Sequence, residues 1–85
     1  MEEDKPFITR EHKQLVTLGR ALKQLRKDKG ISNYEILAEQ LGMSRSQYGA
    51  YEQGKNLTGF TLFRILNFHE ISILEFCRKY LPDEG

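Results

Sequence analysis

Between Tyr34 and Gly54 the chain reads YEILAEQLGMSRSQYGAYEQG. Leu37, Leu41, Met43, Tyr48 and Tyr51 recur at helical steps on either side of a break at Gly42. Two short helices crossing steeply over a tight turn require this pattern. Ala38 is small enough to let the second helix approach the first. Gly42 permits a backbone turn that other residues resist. The apolar positions hold the pair onto a core.

The flanking sequence supplies three more helices. Leu15, Leu18, Leu22 and Leu25 form one buried stripe between about Arg10 and Lys29, with Lys27 and Lys29 suiting the C-terminus and Gly30 the cap. Ser32 followed by Glu35 has capping-box spacing, so the second helix begins at Ser32 or Asn33. Ser44 with Gln47 repeats that spacing for the third helix, and Gly54 stops it. A fourth helix follows Thr58. A fifth opens at Ser72 with Glu75 and runs to Pro82. Strict alternation persists nowhere, which argues against strands. The expectation is an all-α domain of five helices over residues 10–81, with a flexible acidic arm at 1–9 and a tail at 82–85.

Charge and cysteine content narrow the setting. Cys77 is the only cysteine in the 85 residues, so no internal disulfide can form, which fits a reducing compartment. The opening MEEDKPF is acidic and lacks the apolar run of a signal peptide. No segment has the apolar length of a membrane span, so a cytoplasmic location is expected. Net charge is +1, but Glu2, Glu3, Asp4, Asp83 and Glu84 sit at the ends. The body between them carries 13 basic and 7 acidic residues, which is compatible with a polyanionic partner. His12, His69 and Cys77 are the only candidates for base, nucleophile or metal ligand, and they lack metal-site spacing. His69 is read as a loop imidazole and Cys77 as a core thiol. No enzymatic activity, cofactor or metal is expected.

The runs LGRALKQLRKDKG (18–30), LAEQLGMSRSQYGAYEQGK (37–55) and ISILEF (71–76) together resemble the phage-repressor-like (Xre/Cro) helix-turn-helix DNA-binding domains. The resemblance covers about Leu18 to Phe76 and implies a lambda-repressor-like fold with its helix-turn-helix at helices two and three. Three departures stand out. The chain between Arg26 and Leu37 is one residue longer than the usual pattern. Asn33 or Tyr34 replaces the polar residue, often glutamine, that opens helix two. Thr58 stands where a proline often precedes helix four.

On a helical wheel, Arg45, Ser46, Gly49, Ala50 and Gln53 share one face of helix three, and Tyr48 and Tyr51 point the other way with Gln47 beside them. The tyrosines belong to the core side, leaving a small polar face with one arginine. The major groove admits a helix, and arginine pairs bidentately with guanine there. By the resemblance, Ser44, Arg45, Ser46 and Ala50 would touch base edges, and Gly49 would let the backbone approach DNA. Asn33, Tyr34, Gln53, Lys55 and Asn56 are placed for phosphate contacts, which position a protein without reading sequence. The resemblance also implies a structural ion pair between Arg26 and Glu52.

Helix four is apolar on two sides, with Phe60, Phe63 and Leu66 in one stripe and Leu62, Ile65 and Phe68 in another. One stripe serves the core, and the other packs on helix five or on a second chain. A homodimer through Ile65, Phe68, Ile73, Phe76, Cys77 and Tyr80 is expected. The function this supports is a sequence-specific regulator of transcription, a repressor binding double-stranded DNA as a dimer. The alternative is a protein-interaction module of the same fold, such as an antitoxin or anti-repressor, with a regulatory protein as partner.

Overall fold

Side-chain caps divide the chain. In the computed structural model, which describes residues 9–83, the helices are α1 (Arg10–Asp28), α2 (Tyr34–Leu41), α3 (Arg45–Glu52), α4 (Gly59–Phe68) and α5 (Ile73–Tyr80). No strand occurs among the described residues. Thr9, Asn33, Ser44, Thr58 and Ser72 each accept a backbone N–H from the first turn of the helix that follows. Each such cap is worth about 1 kcal/mol. The cap of α2 is Asn33, whose Oδ1 accepts from Glu35 N at 2.7 Å, and Ser32 is left outside the helix. Asparagine caps as well as serine, so the capping-box spacing of Ser32 pointed one residue too early. Thr9 and His12 form a reciprocal box at the start of α1, which a search for Glu or Gln partners does not find. Apart from Thr9, the arm expected at 1–9 lies outside the described residues, as do residues 84–85 of the tail.

The core gathers Ala21, Leu22 and Leu25 of α1, Leu37, Ala38 and Leu41 of α2, Tyr48 of α3, Ile65 and Leu66 of α4, and Phe76 of α5. Each fully buried large apolar side chain contributes about 1.5–3 kcal/mol. Arg64 of α4 donates from its guanidinium to the carbonyl of Leu41, the last residue of α2. A cation at a helix C-terminus is stabilised there, and the bond ties α4 to the turn of the α2–α3 unit.

The expected dimer residues require correction. Ile65 and Phe76 are 0% exposed within the single chain, so neither can meet a second copy in this fold. Phe68 is half-buried, with its ring 5.2 Å from His69 edge-on and under the Lys29 ammonium at 5.6 Å. Tyr80 donates its hydroxyl to Asp28 at 2.6 Å and stacks on Phe76, fastening α5 to the end of α1. Cys77 is half-buried, and Ile73 alone of the six is clearly exposed. The apolar side chains that do reach solvent on α4 and α5 include Phe60, at 80%, Phe63 and Leu74. The core takes one residue from each stripe of α4, Ile65 and Leu66, and leaves Phe60 and Phe63 exposed.

His69 falls in the turn between α4 and α5, as its position in the sequence implied, but it is buried there. It closes α4 as its C-cap and is 9% exposed, and neither ring nitrogen has a partner among the described residues. Burial, reinforced by the nearby Lys29 charge, holds its pKa below the usual imidazole value. A folded state that disfavours the imidazolium binds fewer protons than the unfolded chain, so stability rises with pH across this titration. Urea midpoints are therefore expected to fall as pH drops below about 6.5, the unfolded histidine value. In His69→Gln that part of the slope should vanish, and an unchanged slope would refute the assignment.

Candidate nucleic-acid interface

The interface starts from the turn between α2 and α3. Gly42 takes φ 73° and ends α2, and Met43 N donates to Ala38 O at 2.9 Å, closing the turn. Ala38 has no exposed surface, so its methyl fills the crossing between the helices. Ser44 then caps α3 through Gln47 N at 3.1 Å. Tyr48 is buried, Tyr51 packs against the core, and Gln47 donates to the Tyr51 hydroxyl at 2.9 Å. The tyrosine side of α3 is inward, as its periodicity requires.

A buried ion pair holds the far end of α3. Arg26 is 3% exposed. Its Nε donates to Glu52 Oε2 at 2.8 Å and its Nη2 to Glu52 Oε1 at 3.1 Å, while Nη1 donates to Ile31 O at 2.9 Å. One guanidinium thus joins α1, the α1–α2 connection and α3. The bond to Glu52 raises the Arg26 pKa above its ordinary value. Beside the pair, burial pushes the Tyr48 hydroxyl far above the phenolic range, keeping it protonated. Gly19 of α1 faces the same junction. A Cβ there would lie 2.5 Å from Glu52 O and 2.7 Å from Tyr51 O. No sequence periodicity marked Gly19, because the contact belongs to a helix more than thirty residues away.

Outward from these anchors, Ser44, Arg45 and Ser46 are exposed at the opening of α3, and Ala50 is half-exposed one turn on. The phosphate-contact candidates divide into two groups. Asn33 and Tyr34 stand at the opening of α2, with the Tyr34 ring against Gly49 of α3, whereas Gln53, Lys55 and Asn56 are exposed beyond the end of α3. Lys55 and Asn56 share a cleft there with Thr9, Glu11 and His12 at the start of α1. Arg45 is not free: Nη2 donates to Glu39 Oε2 at 2.9 Å. Glu39 was not among the sequence candidates, since the pairing crosses the turn.

Gly49 departs from expectation. It is buried, and a Cβ added to it would lie 2.7 Å from Tyr34 Cε1 and 3.2 Å from two further ring atoms. The wheel of α3 placed Gly49 on the outer face, but the Tyr34 ring of α2 covers it. Glycine makes room for that ring, not for a nucleic-acid backbone. Alanine should therefore fail to deliver its usual gain of about 1 kcal/mol in a helix. In a Tyr34→Ala background, by contrast, Gly49→Ala should stabilise by about that amount. Urea denaturation of the four proteins of this cycle measures the coupling, and strict additivity would reject the packing account.

Among the described residues, no helix is long and apolar enough to cross a membrane, and no cluster of His, Cys, Asp and Glu is arranged to hold a metal. No curated protein and no solved structure matches the chain. A family model described as helix-turn-helix matches residues 22–76, well over half of it. That span runs from the second half of α1 to Phe76 of α5 and contains the α2–turn–α3 unit and both members of the Arg26–Glu52 pair. The chain belongs to this helix-turn-helix family, the Xre/lambda-repressor-like DNA-binding regulators.

Proposed function

We propose that the protein is a cytoplasmic repressor that binds double-stranded DNA sequence-specifically as a homodimer, with α3 in the major groove. The observation that carries this reading is the exposed opening of α3. Ser44, Arg45 and Ser46 point away from a helix whose opposite side is anchored by Tyr48, Tyr51 and Glu52. A rigid small-polar face bearing one arginine suits base edges. In this reading Ser44, Arg45, Ser46 and Ala50 meet bases. Asn33, Tyr34, Gln53, Lys55 and Asn56 meet phosphates. Gly49 serves by seating Tyr34.

Selection from random duplex DNA, followed by titration, tests the proposal. Affinity should fall steeply with salt as phosphate contacts release counterions. Arg45→Ala should weaken the selected site by about 1–3 kcal/mol, while Lys55→Ala should weaken all sequences alike. If neither variant alters binding to any DNA, a protein-interaction module of the same fold takes precedence.

For the homodimer, the exposed Phe60, Phe63, Ile73 and Leu74 of α4 and α5 replace the buried Ile65 and Phe76 as the apolar contact. Two copies would then read half-sites about 34 Å apart. Sedimentation should show a dimer that Leu74→Glu dissociates, and a wild-type monomer at high micromolar concentration would remove the dimer from the proposal.

A further inference from the structure

Glu39 stands on α2 opposite the opening of α3, and its Oε2 is 2.9 Å from Arg45 Nη2. The two side chains are 63% and 59% exposed. An ion pair so exposed contributes little to folding, and a carboxylate beside a DNA-binding surface opposes a polyanion. What the pair does accomplish is geometric. A guanidinium has five N–H donors in one plane. Glu39 takes one of them through Nη2, and a guanidinium with one donor engaged keeps four for other acceptors. Two parallel N–H donors are what a guanidinium presents to guanine O6 and N7. Glu35, on the same helix, adds a second attractive charge toward Arg45, so the arginine is biased toward α2 and not spread over the surface.

Building on the DNA-reading function proposed above, we propose that Glu39 is a positioning residue: it fixes the plane of the Arg45 fork and thereby sets the preference for guanine at the base that Arg45 meets. Removing the carboxylate frees the arginine to sample phosphates and other bases. Specificity then falls from both sides, because discrimination at the guanine weakens while attraction to any DNA grows.

The test compares motifs selected from random duplex DNA by the 85-residue wild type, Arg45→Ala and Glu39→Ala. It adds titrations of the selected site and of the same site with its Arg45-dependent guanine replaced. The wild type should enrich a guanine whose preference Arg45→Ala abolishes. Glu39→Ala should keep the rest of the motif and lower the preference for that guanine about threefold to tenfold, part of what a bidentate contact provides. Its affinity for unrelated DNA should be equal or higher. Its melting temperature should stay within about 3 °C of wild type, as for an exposed pair. If the guanine preference survives Glu39→Ala, the inference is overturned and the pair is only solvated charge. If the motif contains no Arg45-dependent guanine, it is overturned as well. A wild type that enriches no motif overturns the DNA-reading function itself, a separate failure.

Discussion

Replacing Gly19 by alanine should destabilise the protein by about 2–3 kcal/mol, the usual scale for overpacking a core contact. Helix propensity alone predicts the reverse, a gain of about 1 kcal/mol for alanine in mid-helix. Packing prevails because the new methyl would meet backbone. Glu52 O, Tyr51 O and Glu52 C would lie at 2.5, 2.7 and 2.8 Å. A side-chain end can rotate aside, but a carbonyl inside a helix cannot. The end of α3 would have to lift from α1, and Glu52, the residue touched, also holds Arg26. One methyl group thus strains the backbone contact and the ion pair together. The loss corresponds to a melting temperature lower by about 10–20 °C for a domain of this size. A midpoint at or above the wild type would show that α3 does not sit on α1 this closely.

Breaking the ion pair itself carries the other large effect. Glu52→Gln leaves the Arg26 guanidinium 3% exposed without its counter-charge, at a cost of about 3–5 kcal/mol. Glutamine can still accept one hydrogen bond, which places the effect toward the lower end. The bond from Arg26 to Ile31 O persists but supplies no charge. Replacing both residues by apolar side chains, as in Arg26→Met with Glu52→Leu, should recover most of the loss, since no unpaired charge is then buried. Chemical denaturation of the single and double variants measures this. A Glu52→Gln midpoint equal to wild type would mean that water reaches the pair and that its strength is that of a surface contact. Because the pair fixes the end of α3, the single variant should also weaken DNA binding under conditions where it remains folded.

Five helices were legible because each leaves local marks: a capping side chain, an apolar stripe and, for all but α4, a glycine or proline beyond the end. The inward side of α3 was legible for the same reason, since Tyr48 and Tyr51 lie three residues apart on a helix whose other face is polar. Helix α4 shows where local marks stop. Its two apolar stripes were both visible, but not which residues of each the single chain covers. Ile65 and Leu66 became core, and Phe60 was left in water. That outcome depends on the placement of α1 and α5, which no periodicity within α4 records.

By itself, the sequence determined the helix-turn-helix unit, its anchoring residues and the membership of Ser44, Arg45 and Ser46 in its exposed opening. These follow from periodicity, capping and turn chemistry, all set by neighbours within a few residues. Tertiary structure alone decided what Gly19 and Gly49 are for and what Arg45 touches. Gly49 lies under the Tyr34 ring, Gly19 lies against the carbonyls of α3, and Arg45 is held by Glu39. These contacts join different helices, so their geometry exists only once the helices have packed. The glycine that looked like a concession to DNA is instead a seat for a tyrosine.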